Sequence, residues 1–85
     1  MKRYYITKGS RRLGGFFPNG YGDVFVFNKN NYFSEDSEDE AKIHLKSMKR
    51  RLTEEIKSGR WSEEEINNNL KIFKSLRIVP EKVKE

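Results

Sequence analysis

The chain has 85 residues, enough for one domain (1–85), and a domain of this size buries little more than about 60% of the surface its unfolded chain exposes. Hydrophobic residues make up 34% and charged residues 36%, so the core must be thin; with no cysteine, disulfide stapling and thiolate metal sites are excluded and a reducing cytoplasm is the expected setting. The basic start Met1-Lys2-Arg3 leads into no apolar run of signal-peptide or membrane-spanning length, so neither export nor a membrane span is expected.

Fold class reads as α+β: a small antiparallel sheet of two or three strands in residues 1–33, followed by two helices in residues 34–85. Arg3–Lys8 and Asp23–Asn28 are rich in Tyr, Ile, Val and Phe, and the chain between them is punctuated by Gly14-Gly15 and Pro18-Asn19-Gly20-Tyr21-Gly22. A third short strand is placed at Leu13–Phe17. In Asp23–Asn28, Val24 and Val26 alternate with Phe25 and Phe27; both faces are apolar, which predicts a central strand.

The first helix is predicted to start at Ser34 or Ser37, where Ser37-Glu38-Asp39-Glu40 has the form of a capping box and places acid at the positive end of the helix dipole. Ala41, Leu45, Met48, Leu52 and Ile56 recur every three or four residues and form its core stripe. Lys57-Ser58-Gly59 ends it. Ser62-Glu63-Glu64-Glu65 caps a second helix, with Trp61 placed to staple onto Ile66. Ile66, Leu70, Ile72, Phe73 and Leu76 fill an arc wider than one stripe, which can meet both the sheet and a second copy of the chain, so a homodimer through this helix is expected. The tail from Ile78 begins like an edge strand, is predicted to break at Pro80, and is expected to end in mobile residues.

The net charge of +5 is unevenly placed. Residues 1–22 carry five basic and no acidic side chains, 23–45 two basic and six acidic, 46–61 six basic and two acidic, and 62–85 five of each. Two basic zones therefore flank an acidic one, a distribution that points to nucleic acid or another acidic partner, while helix capping accounts for the acids.

On the first helix, turning 100° per residue sets Lys42, Lys46, Arg50 and Lys57 on the side away from the core stripe, with Lys49 at their flank. Like charges at i, i+4 cost an isolated helix a few tenths of a kcal/mol per pair, so an external anion is the favoured use of this ridge. The structural alternative is a solvated face stitched by Glu38–Lys42, Arg50–Glu54 and Arg51–Glu55; Lys46, Lys49 and Lys57 have no partner at that spacing. Ile43 falls on the same face, against a partner or a neighbouring loop.

A second basic group, Lys8-Gly9-Ser10-Arg11-Arg12-Leu13-Gly14-Gly15, reads either as a flexible loop whose glycines let amides, Lys8, Arg11 and Arg12 approach phosphate, or as a plain hairpin connection. It matches neither a Walker loop nor a dinucleotide fingerprint. Nine of the eleven aromatics lie within the first 33 residues. Phe25, Phe27 and one of Tyr4 and Tyr5 are assigned to the core; Phe17, Tyr21 and Tyr32, beside turns, are the candidates for stacking on unpaired bases.

Catalysis has little support. His44 is the single histidine and stands beside the buried stripe; no pair of histidines, cysteine or calcium-loop spacing suggests a metal, and no cofactor is expected. The expectation is a non-catalytic RNA-binding protein; the alternative is a protein–protein inhibitor using the second helix, or the acidic stretch as a nucleic-acid mimic.

The aromatic opening strand, the basic groups Lys8–Arg12 and Lys46–Arg51 and the two closing helices together resemble the small accessory proteins of T-even bacteriophages, in particular the RNA-binding inhibitors of the ToxN endoribonuclease toxin. That resemblance implies an antidefence protein in the cytoplasm of an infected cell, which binds RNA and through it blocks a toxin–antitoxin ribonuclease.

Overall fold

A computed structural model describes residues 2–20, 22–28 and 30–82. Its elements are β1 (Lys2–Lys8), β2 (Arg11–Phe16), β3 (Phe25–Phe27), α1 (Glu38–Lys57), α2 (Glu63–Ser75) and β4 (Arg77–Lys82). The fold is α+β, with an antiparallel sheet in the order β3-β2-β1-β4.

Three expectations for the sheet are corrected. It has four strands rather than two or three, because the segment after α2 returns to pair with β1 from Lys2↔Lys82 to Thr7↔Arg77. Pro80 does not break that strand. The backbone N–H and C=O of Tyr4, its partner, both bond Glu35 on the opposite side, at 2.9 Å each. The Tyr4↔Pro80 pair therefore exchanges no ladder bonds and the missing proline N–H is not needed, the usual accommodation of proline on an edge. The strand runs on through Lys82; the last residues, expected to be mobile, are 83–85 and lie outside the described residues. Finally, the Asp23–Asn28 strand is a three-residue edge strand and not a central one, because only β2 flanks it and Val26 keeps 36% of its surface exposed.

β1 and β2 are joined by a two-residue hairpin, Gly9-Ser10, between the paired Lys8 and Arg11. Gly9 has φ +63° while Ser10 stays at negative φ, the pattern of a type II′ turn that matches strand twist. Arg11, Arg12, Gly14 and Gly15 thus belong to a strand, and the reading of a flexible loop is set aside. Gly14 is the extra residue of a β-bulge between Leu13↔Phe27 and Gly15↔Val26. The chain returning through residues 31–35 runs against this point: Phe33 N–H bonds Leu13 C=O at 2.9 Å, and a Cβ on Gly14 would stand 2.1 Å from the Asn31 carbonyl oxygen. Glycine is required there for close approach of backbone.

Both helices start where the sequence places them. The Ser37 hydroxyl accepts from Glu40 N–H, and Ser62 with Glu65 forms a reciprocal capping box. Ala41, Met48 and Leu52 are buried, with Leu45 and Ile56 packed alongside. Ile6, Leu13, Phe16, Val24 and Phe25 from the first part of the chain, Met48 and Leu52 from α1, and Leu76 after α2 form one cluster; each large aliphatic member contributes roughly 1.5–3 kcal/mol. Trp61, Leu70, Ile72 and Phe73 pack against it from the side, yet no residue of α2 is fully buried.

Candidate nucleic-acid interface

The two basic groups of the sequence meet different fates. By register, Arg3, Tyr5 and Thr7 of β1 share the sheet face opposite Ile6, and Arg12 and Glu81 sit across from Thr7 and Arg3 on that face. There the Arg12 guanidinium lies 4.2 Å from the centroid of Tyr5 and 4.6 Å from that of Tyr32, and it is ion-paired with Glu81. Burial works to lower the Arg12 pKa, but the hydrogen bond to and charge of Glu81, with smaller contributions from Tyr32 and Tyr5, hold it above the ordinary arginine value. Tyr32 also meets Tyr5 edge-on at 5.3 Å. Arg3 is engaged likewise, by Asp36 and by the Ser34 hydroxyl at 2.7 Å.

This layer is internal bracing. It ties the returning segment 32–36 and strand β4 onto β1, and it occupies two of the residues singled out for RNA, Arg12 and Tyr32. Arg11, the third hairpin candidate with Lys8, stands 5.0 Å over the Phe27 ring; Lys8 is exposed at the strand end. Phe17 is 54% exposed just past β2. Tyr21 lies outside the described residues.

The outer face of α1 is different. Lys42, Lys46, Lys49, Arg50 and Lys57 are all exposed, spread over a helix length of about 22 Å. Lys42 pairs with Glu38 at 3.6 Å. Among the described residues, no carboxylate lies within ion-pair distance of Lys46, Lys49, Arg50 or Lys57. The expected Arg50–Glu54 and Arg51–Glu55 stitches are not made: Glu55 is taken by Arg60 from beyond the helix, and Arg51 lies 5.2 Å over the Phe16 ring. Ile43, 66% exposed, lies on the outward side of α1 near the N-terminal end of this row of cations.

Where α1 passes the end of α2 there is a shallow groove of about 320 Å³, lined by Leu45, Phe73 and Leu76 with Lys46, Lys49 and Lys74. No family model matches this chain. Searches of curated proteins and of solved structures likewise return no match. The groove adds Lys74, which sequence reasoning missed. Helical periodicity gives the faces of each helix separately, and nothing in it says which residues of one come to stand beside the other.

His44 belongs elsewhere. Its Nδ1 is 2.8 Å from a Glu35 carboxylate oxygen and its ring meets Phe33 edge-on at 4.7 Å, which fastens α1 to the segment bridging β1. A cleft of about 730 Å³ between residues 18–20 and 22–25 on one side and α2 on the other is lined by Asn19, Asn68, Asn69, Trp61, Glu55 and Arg60 among others. No described helix is long and apolar enough to cross a membrane.

Proposed function

We propose that this chain is a non-catalytic RNA-binding protein that engages the phosphate backbone through the outer face of α1. The observation carrying the reading is the set of four cations, Lys46, Lys49, Arg50 and Lys57, exposed on one helix face without an ion-pair partner among the described residues. Mutual repulsion along that face costs the free protein a little stability, and phosphate relieves it while releasing condensed counterions. Following the resemblance to T-even phage inhibitors of ToxN, of the TifA type, the bound RNA is the means by which a toxin–antitoxin ribonuclease is blocked in an infected cell.

The experiment is to purify the protein without nuclease, read the absorbance ratio and sequence the copurifying nucleic acid, then titrate a defined RNA at several salt concentrations. Six to ten phosphate contacts weaken binding about 10³- to 10⁵-fold between about 50 and 200 mM salt. A protein that elutes free of nucleic acid and shows no salt dependence removes this reading.

A second reading rests on α2. None of its residues is fully buried, although Ile66, Leu70, Ile72 and Phe73 are apolar. A surface of that kind suits a protein partner, either a second copy in a homodimer or a host enzyme under inhibition, and its affinity would respond little to salt.

A further inference from the structure

We infer that the α1–α2 groove takes one unstacked base of a single-stranded RNA, so that the protein prefers single strands to duplex; this rests on the phosphate-binding reading of α1 and specifies what its edge recognises. The floor consists of Leu45, half-buried Phe73 and buried Leu76, while Lys46 and Lys49 from α1 and Lys74 from α2 complete the lining. An apolar floor ringed by three ammonium groups calls for a ligand with a flat, weakly hydrated body and anionic groups on either side of it. A nucleotide within a strand has that chemistry: the base covers the apolar floor and the flanking phosphates meet the lysines. A paired base in a duplex cannot leave its stack without an unpairing cost of a few kcal/mol, whereas a base in an unpaired strand is already available to an aromatic or apolar platform.

Two of the three lysines also belong to the ridge on the outer face of α1. A strand following Lys57, Arg50, Lys49 and Lys46 along the helix therefore reaches the edge of the groove. Lys74 is the one cation there contributed by another element, and it lies in the last turn of α2, where the helix dipole already favours a cation. Its placement needs no ligand; its juxtaposition with Lys46 and Lys49 around apolar side chains is the feature that calls for one.

The test compares a short oligouridylate with an abasic chain of equal length, measured by fluorescence anisotropy at several salt concentrations, on the full-length protein. The expected result is a loss of about tenfold or more for the abasic chain with the salt slope unchanged, since the phosphates are the same. Phe73→Leu should lose a similar factor on the oligouridylate and none on the abasic chain. Lys74→Gln, at an exposed position, should lower the salt slope on both chains by a little under one unit. Equal affinity for the two chains overturns base insertion and leaves the ridge reading standing. If neither chain binds, both fail. Should Phe73→Leu disturb the fold by circular dichroism, the abasic comparison on the unmodified protein together with Lys74→Gln still decides.

Discussion

The hairpin face and the α1 face carry cations at similar density in the sequence, and they end in opposite circumstances. Arg3 and Arg12 are held by Asp36, Glu81, Ser34, Tyr5 and Tyr32, whereas Lys46, Lys49, Arg50 and Lys57 stand in solvent without ion-pair partners among the described residues. Charge density alone is thus a poor locator of a phosphate site. What counts is which cations the fold has left for others to use. A guanidinium that already covers two rings and faces a carboxylate would have to give up those contacts to bind RNA, while an exposed ammonium gives up only water.

The sharpest way to break that comparison is to reverse charge on each face in turn. Lys46→Glu with Arg50→Glu should reduce RNA affinity by at least about 100-fold, about 2.7 kcal/mol, in a filter-binding assay at moderate salt. Thermal stability should move by no more than about 0.5 kcal/mol, because both side chains are exposed and neither is ion-paired among the described residues. An unchanged affinity would remove the ridge from the account.

Gly14→Ala should cost about 2 kcal/mol or more, since the new methyl group meets the Asn31 carbonyl rather than a side chain that can swing away. A chain this small commands only about 3–5 kcal/mol from its core, so chemical denaturation should show a protein close to unfolding. Gly15→Ala meets the ring of exposed Phe17 instead and should cost distinctly less. Comparable losses at the two positions would contradict the close backbone approach.

Arg12→Ala is expected to lose about 1–2 kcal/mol of stability from the two ring contacts and the Glu81 pair, with RNA affinity at fixed salt nearly unchanged once the protein is folded. A large affinity loss in a stable variant would return the hairpin to the interface. The smallest effect belongs to Lys57→Gln at the far end of the ridge. It should lower the salt slope by a little under one unit on single strands while leaving the melting temperature alone.

Much of the fold is legible in the sequence. The Ser37 and Ser62 caps, the Ala41–Ile56 stripe and the end of α1 at Ser58-Gly59 depend on interactions within a few residues, so composition and spacing suffice to place them. The sheet was legible only in part. The Asp23–Asn28 alternation reads as central because apolar side chains point to both faces, and nothing in that pattern says that a single strand flanks it. Pro80 looked like a terminator because the side of the strand its absent N–H would face was unknown. The glycines at 14 and 15 fit a flexible loop as well as a hairpin, because the segment that passes over Gly14 lies some 17 residues further along the chain. Of the candidate site, the α1 ridge followed from helical periodicity, but Lys74 and the apolar floor beside it did not.

By itself, then, the sequence determined the two helices, their buried and solvent faces and the location of positive charge along the chain, since each is set by contacts at i, i+3 and i+4. The tertiary structure alone decided which cations were consumed. Pairing β4 with β1 brings Glu81 to Arg12, and folding residues 31–36 back across the hairpin brings Tyr32 and Asp36 to the arginines, encounters between residues 20 to 69 positions apart that no local pattern encodes.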